Sequence, residues 1–170
     1  MKKKMSDIVL HRVRPPDSKE ELTIDDLSRV LVKRLGLVRK KSRADHPKLL
    51  RELIKYRKDN VPITIEKISE ILGVSESQTY EELRKWRTMG LIEFVKVPSG
   101  DDFIKGYMLT GNTANRLLDR VEASLKSFMR QTRRIAKDFD DSLMLEIARA
   151  SRTEETTQDV QNEDYDEEEN

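Results

Sequence analysis

Residues 68–92 constrain the fold more than any other part of the chain, because they specify two short helices with only a turn between them. Gly73 can end the first helix and Ser75 can cap the second. Gln78 stands at the capping-box distance from Ser75. Residues at helical spacing predict the buried face of the first helix: Ile68, Ile71 and Leu72. The same spacing predicts the buried face of the second: Thr79, Leu83 and Trp86.

The flanking segments extend this pair into a longer series of elements. Thr23 and Asp45 are good helix caps that predict two earlier helices. Residues 91–97 and 103–110 are strand-like, and the turn-forming residues 98–102 lie between them. The series predicts a mainly α fold with a small β-hairpin wing and a long C-terminal helix.

Two helices joined by a tight turn form a helix-turn-helix, which delivers its second helix to the major groove of DNA. The chain resembles winged helix-turn-helix transcriptional regulators of the MarR, TrmB and archaeal type over roughly residues 47–135. The matching pieces are Leu72-Gly73-Val74-Ser75, Met89-Gly90-Leu91-Ile92 and Met108-Leu109-Thr110. The resemblance implies a DNA-binding regulator whose helix 75–88 enters the groove. The turn of the wing departs from the MarR pattern because it is acidic, and Thr113 stands where those proteins have a glycine.

The outward side of helix 75–88 supplies candidate DNA-binding residues. They are Ser75, Ser77, Gln78, Tyr80, Arg84 and Lys85. Glutamine can pair with adenine and arginine with guanine, whereas the lysine suits a phosphate. The two serines stand at a helix N-terminus, where backbone amides favour phosphate. The alternative is a solvated helix surface whose basic residues pair with Glu81 and Glu82, and Glu76 and Glu81 would repel phosphate.

Charge is distributed unevenly along the chain. Residues 1–150 carry 32 bases and 23 acids, whereas residues 151–170 carry one base and nine acids. A basic body suits an anionic partner, and nucleic acid is the commonest one. The most basic stretch could follow a phosphate backbone or be a solvated linker; it contains Arg39, Lys40, Lys41 and Arg43. The acidic tail is too polar to fold on its own and is expected to be disordered.

The long C-terminal helix carries a narrow apolar seam at alternating spacings of three and four. Its predicted dimer-interface residues are Leu118, Val121, Leu125, Phe128, Ile135 and Phe139, with Thr132 filling one polar position. The helix could restart near residues 138–142. Winged-helix regulators commonly dimerise through such a helix, so the resemblance implies a homodimer. An intramolecular brace is the alternative.

Composition and motifs exclude several classes of function. The absence of cysteine excludes thiolate metal sites and cysteine nucleophiles. No catalytic constellation or phosphate-binding loop occurs, so we expect a non-enzymatic protein without a cofactor. His11 and His46 have no carboxylates at ligand spacing, so no metal site is expected. No apolar run is long enough for a membrane span, and no secretory signal is present, which indicates a cytoplasmic protein.

These features predict five segments. They are a flexible basic arm (1–22), an N-terminal helix with a basic linker (23–46), the winged helix-turn-helix domain (47–112), a long helix (113–150) and an acidic tail (151–170). The leading hypothesis is a dimeric, sequence-specific regulator that binds double-stranded DNA. Two alternatives stay open: a winged helix that contacts other proteins in a transcription or chromosome-associated complex, and a non-specific architectural protein.

Overall fold

A computed structural model describes residues 7–17 and 22–166, with the backbone alone for residue 155 and residues 157–166. The elements follow in the order α1 (Ile24–Arg34), α2 (His46–Lys58), α3 (Ile65–Leu72), α4 (Glu76–Thr88), β1 (Ile92–Ser99), β2 (Asp102–Leu109) and α5 (Ala114–Asp166). Two antiparallel strands follow the helices α2 to α4, and a long helix follows the strands. This is a winged-helix layout, and it confirms the predicted fold class.

Side-chain caps fix where the four shorter helices begin. Thr23 and Asp45 accept hydrogen bonds from the amides three residues on, at 3.1 and 3.0 Å, at the starts of α1 and α2. Thr64 and Ser75 do the same for α3 and α4, at 3.4 and 3.3 Å. Each cap satisfies an amide that has no partner within its helix. Gly73 ends α3 at a φ of 69°, where a side chain would be strained.

The hairpin is tied to the helices by one additional backbone bridge. Ile63, just before α3, exchanges two 2.8 Å backbone hydrogen bonds with Tyr107 of β2. The preceding strand position must be a glycine, because a Cβ on Gly106 would lie 2.4 Å from the carbonyl oxygen of Ile63. The wing is therefore fixed at its base to the segment that leads into α3.

The chain divides between Ser124 and Leu125 into two compact units. The core of the first unit draws on every helix in it and on both strands. It includes Val32, Leu37, Leu49, Leu53, Ile68, Leu72, Leu83, Trp86, Leu91, Leu109, Leu117 and Val121. Val121 was predicted to lie in a dimer seam, and that prediction is wrong. Its side chain completes the core of its own chain, as does that of Leu117, since the start of α5 packs there.

The N-terminal arm was predicted to be flexible, yet part of it is held against α1. Residues 7–17 have no regular secondary structure, but the amide of His11 donates to the carbonyl oxygen of Arg34 at 3.0 Å. The Arg34 guanidinium donates in turn to the carbonyl oxygen of Val13. Gly36 permits this approach, because a Cβ there would lie 1.9 Å from the Val9 carbonyl oxygen. The rest of the predicted arm at residues 1–6 and 18–21 lies outside the described residues.

In the second unit, α5 continues without interruption through Asp166. The sequence suggested a restart near residues 138–142 and disorder from Ser151, and the structure differs on both points. No glycine or proline follows Gly111, so nothing in the sequence breaks the helix. Low hydrophobicity excludes a packed core for this segment but does not exclude a solvated helix. Residues 167–170 lie outside the described residues.

Candidate nucleic-acid interface

Helix α4 turns one side to the core and the other to solvent, and its exposed side is the candidate interface. Its buried residues are Thr79, Glu82, Leu83 and Trp86. Its exposed residues are Glu76, Ser77, Gln78, Tyr80 and Arg87, and Arg84 and Lys85 are half-buried. The predicted outward positions Ser77, Gln78 and Tyr80 are therefore accessible to a ligand that approaches α4.

Two of the predicted contact residues already have partners within the helix. The Ser75 hydroxyl accepts the Gln78 amide as the cap of α4. The Arg84 guanidinium donates to the Glu81 carboxylate, which is the pairing that the sequence left open as an alternative. To bind a base or a phosphate, Arg84 would have to leave this ion pair. The Ser77, Gln78 and Tyr80 side chains are better placed for contact.

Arg87 belongs to this surface, and the sequence analysis missed it. It is exposed and lies seven residues after Tyr80, which brings both to the same side of α4. Burial raises the pKa of Tyr107 on β2. The charge of Arg87 lowers that pKa in part, whereas Tyr80 raises it further. Tyr80 and Arg87 are thus within electrostatic range of the Tyr107 hydroxyl. The signal that could have identified Arg87 is its helical spacing from Tyr80 and Arg84.

On one flank, this surface continues onto the wing. Tyr107 packs edge-on against Phe94 of β1, with ring centroids 5.4 Å apart, and 63% of the Phe94 surface stays exposed. Farther along the same sheet face, the Lys96 ammonium lies 4.1 Å from the centre of the Phe103 ring. Lys105 stands directly opposite Lys96 in the strand register. Like charges opposite each other in a sheet repel, so a bound polyanion would stabilise this pair.

The turn of the wing is acidic, but the two strands that it connects carry exposed basic side chains. Asp101 and Asp102 occupy the end of the hairpin, while Lys96 and Lys105 are exposed closer to α4. The alternation along the strands could have indicated this, because residues two apart share a face. The wing therefore offers aromatic and basic side chains between α4 and the acidic end.

On the other flank, the basic linker is attached to α4 through Glu82. The Glu82 side chain is only 1% exposed, and its Oε1 accepts a 2.9 Å hydrogen bond from the Ser42 hydroxyl. The Arg39 guanidinium lies 3.5 Å from the same oxygen. At 100° per residue, Gln78 and Lys85 lie beside Glu82 on the side of α4 away from Arg87. Arg39 thus anchors the linker to the helix, while the other predicted linker cations are exposed: Lys40, Lys41 and Arg43.

The second carboxylate oxygen of Glu82 connects α4 to α2. His46 is fully buried, and its Nε2 lies 2.9 Å from Glu82 Oε2. The indole N–H of Trp86 donates to His46 Nδ1 at 3.1 Å. Because an indole N–H only donates, Nδ1 must accept and Nε2 must carry the proton that is donated to Glu82. The sequence placed no carboxylate at ligand spacing from His46, but the fold brings one from 36 residues away.

These contacts keep Glu82 charged in the core. Burial by itself would raise the pKa of Glu82, but hydrogen bonds from His46 and Ser42 and the charge of Arg39 outweigh it and lower the pKa below 4.5. The buried carboxylate therefore fixes α4 against both α2 and the linker. Trp86 contributes to the core as predicted and orients the imidazole through its N–H group.

Together, these elements expose polar and basic side chains whose chemistry suits a polyanion. An exposed polar helix face lies in the middle, with exposed cations of the linker on one side and of the wing on the other. Within the described residues, no group of three or more histidine, aspartate and glutamate side chains could hold a metal ion. Nor does that part of the chain contain a helix long and apolar enough to span a membrane.

Comparisons with known proteins add little to this geometry. No family model matches the chain, and no curated protein matches its sequence. Among solved structures, a protein described as a possible transcriptional regulator from Methanosarcina mazei Go1 aligns with a TM-score of 0.34 and 11% identity. The alignment covers 75% of this chain and 98% of that one. A match this distant assigns no function, and the likeness to MarR and TrmB regulators stays a resemblance.

Proposed function

We propose that this protein binds double-stranded DNA through α4 and regulates transcription as a homodimer. The main support for the proposal is the exposed side of α4, which has basic residues of the linker on one side and of the wing on the other. Its outward residues are exposed between two groups of exposed cations, and its inward side is fixed to the core by apolar contacts and by Glu82. A helix held in this way suits insertion into the major groove as a rigid body.

The exposed side chains divide into those that read bases and those that hold phosphates. Gln78 has the amide that pairs bidentately with adenine, and Arg87 has the guanidinium that pairs with guanine. Lys85, the linker cations and the two wing lysines carry charges suited to phosphates. In this arrangement, α4 supplies the sequence preference. The linker and the wing set its register on the duplex.

We propose the homodimer because α5 exposes apolar side chains in the second unit. Leu125, Phe128, Ile135 and Phe139 are exposed in the described chain, in contrast to Val121. Two copies joined there would present two α4 helices to one DNA site, and the site would then be an inverted repeat. The proposed activity is binding alone, with no chemical step.

One observation favours a second candidate, a winged helix that contacts another protein. Glu76 on α4 and Asp101 and Asp102 at the end of the wing are exposed acids that border the same surface. A basic protein partner could occupy those positions, whereas DNA would avoid them. Duplex binding that survives loss of the α4 side chains would show that DNA binds elsewhere and would leave α4 for such a partner.

The test is selection from the whole genome. Purified protein is incubated with sheared DNA from its source at about 0.15 M salt, and the retained fragments are sequenced. Discrete peaks that share an inverted repeat support the proposal. Even coverage indicates a non-specific architectural protein. Lack of retention contradicts DNA binding and leaves the protein-contact candidate.

A further inference from the structure

We propose that the second unit pairs with the second unit of another copy in an antiparallel orientation, with a two-fold axis near residues 137 and 138. This inference rests on the homodimer proposed above and specifies its interface. It follows from two features of α5 after Ser124: an exposed apolar stripe, and a reversal of charge at the middle of that stripe.

The stripe consists of large apolar side chains on one side of the helix. Phe128, Ile135 and Phe139 are 64, 68 and 63% exposed. Leu125, Leu143 and Ile147 extend the stripe in both directions and are also exposed. The spacings of three and four residues from 125 to 139 are those of a two-stranded coiled coil. The same helix of a second copy exposes the same phenylalanine and isoleucine side chains, so pairing of the two helices would bury the apolar surface of both.

The charge of the helix changes sign in the middle of the stripe. Residues 125–137 contain five basic side chains and no acid: Lys126, Arg130, Arg133, Arg134 and Lys137. Residues 138–150 contain four acids and one base: Asp138, Asp140, Asp141, Glu146 and Arg149. One Lys137–Asp141 ion pair, at 2.7 Å, spans the boundary within the helix. The two halves of the stripe thus have net charges of +5 and −3.

This reversal decides the orientation of two paired helices. A parallel pair would place the basic block beside the basic block and the acidic block beside the acidic block, and both would repel. An antiparallel pair about residues 137 and 138 places each basic block beside the acidic block of the other copy. The charged blocks of two paired helices lie within about one Debye length of each other at low salt. Electrostatic attraction therefore favours the antiparallel pair over the parallel pair.

The same axis sets which residues of the two copies face each other. It places Thr132 opposite Leu143 of the second copy and Phe128 opposite its Ile147, while Ile135 and Phe139 face its Asp140 and Ala136. Thr132, the polar position in the seam, thus meets an apolar side chain. At a rise of about 1.5 Å per residue, the two copies of Thr132 are about 16 Å apart along the helices. In a parallel pair they would be adjacent.

The chain contains no cysteine, so disulfide formation between introduced cysteines reports the orientation directly. Thr132→Cys and Leu143→Cys are made separately in the full-length protein. Both residues are exposed, so neither change should disturb the core. Each variant is oxidised alone and in an equimolar mixture, without DNA, and cross-linked dimers are quantified on non-reducing gels. A disulfide requires Cα atoms within about 7 Å.

The proposal predicts efficient cross-linking in the mixture and little in either variant alone. Efficient cross-linking of Thr132→Cys alone would overturn the proposed axis, and efficient cross-linking of Thr132→Cys alone and of Leu143→Cys alone would establish a parallel pair, while the homodimer would stand in either case. No cross-linking in any sample would overturn the interface itself. Because no DNA is present, none of these results depends on whether the α4 surface binds a duplex.

A second measurement uses charge, and its sign differs between the two orientations. Arg133→Gln with Arg134→Gln should weaken association of an antiparallel pair by about two- to fivefold per charge at low salt. The same change should strengthen a parallel pair, because it relieves repulsion. Association is measured by sedimentation equilibrium, with Arg116→Gln in the first unit as the matched control. Tighter association of the double variant would contradict the antiparallel arrangement.

Discussion

His46 Nε2 lies 2.9 Å from Glu82 Oε2, and this contact between two buried side chains joins the start of α2 to the middle of α4. The other oxygen of Glu82 holds the linker through Ser42, and the other nitrogen of His46 accepts from Trp86. A buried carboxylate is costly unless it is fully hydrogen-bonded. Both oxygens of Glu82 accept hydrogen bonds, so the network fixes α4 in one position relative to α2 and the linker.

Replacing the buried carboxylate should destabilise the fold. Glu82→Gln keeps the shape but removes the charge that the His46, Ser42 and Arg39 donors require. We expect a loss of about 2 to 3 kcal/mol in the free energy of unfolding at pH 7. Urea denaturation followed by the fluorescence of Trp86, the only tryptophan, measures it. Glu81→Gln is the control on the exposed side of α4, and it should change stability by about 0.5 kcal/mol or less.

The difference in unfolding free energy between wild type and Glu82→Gln should depend on pH. Because the pKa of Glu82 is lower in the folded state than its ordinary value of 4.5, its contribution is complete above pH 4.5 and is lost as the pH falls through the folded value. The stability gap between wild type and Glu82→Gln should therefore narrow on acidification below pH 4.5. A gap that stays constant from pH 7 to pH 3 would show that the Glu82 charge is not held by this network.

The tautomer of His46 can be observed directly. The Trp86 donor requires an unprotonated Nδ1, and the Glu82 acceptor requires a proton on Nε2. Nitrogen-15 NMR should show this pattern for one of the two histidines, and Trp86→Phe identifies it by perturbing its Nδ1 signal. His11, exposed in the N-terminal arm, is the internal control. A proton on Nδ1 of His46 would contradict the geometry.

Val121 and Ile135 looked equivalent in the sequence, and the structure separates them. Val121 is buried in the core of the first unit, whereas Ile135 is 68% exposed in the second. Val121→Ala should lower the unfolding free energy of the first unit by about 1 to 3 kcal/mol without affecting association. Ile135→Ala should do the reverse, weakening self-association and leaving Trp86-detected unfolding unchanged. Equal effects of both variants on association would instead support the sequence prediction that Val121 and Ile135 lie in one dimer interface.

Local sequence patterns were sufficient to predict the elements and their order. The caps at Thr23, Asp45 and Ser75 and the end of α3 at Gly73 depend on residues within one helical turn, so they are legible without a fold. The buried side of α4 followed from helical spacing in the same way. Where burial required a partner from elsewhere in the chain, as for Val121, periodicity alone did not distinguish the core from an interface.

The polar network could not be predicted, because its members lie far apart in sequence. His46 and Glu82 are separated by 36 residues and Ser42 and Glu82 by 40. In a chain with 32 acidic residues, nothing local marks Glu82 as the buried one. The basic face of the wing differs, because alternation along each strand could have indicated it, and only the pairing of Lys96 with Lys105 depends on the strand register.

The flanking cations should determine the salt dependence of DNA binding. Each phosphate contact contributes about 0.9 to the slope of log affinity against log salt. Changing Lys40, Lys41 and Arg43 to glutamine should therefore lower the slope by up to about 2.7, and Lys96→Gln with Lys105→Gln by up to about 1.8. Lys55→Gln, on the exposed side of α2, is the control. An unchanged slope in both variants would remove the linker and the wing from the interface.

In the proposed function, the exposed side of α4 reads duplex DNA. The most direct test compares wild type with Tyr80→Ala/Arg87→Ala by fluorescence anisotropy, on a duplex selected by the protein and on a shuffled duplex, at about 0.15 M salt. Both side chains are exposed, so the fold should be unaffected. We predict that wild type prefers the selected duplex, and that the double variant loses on the order of tenfold to a hundredfold affinity for it and much less for the shuffled one. Equal binding of the selected duplex by both proteins would contradict the claim.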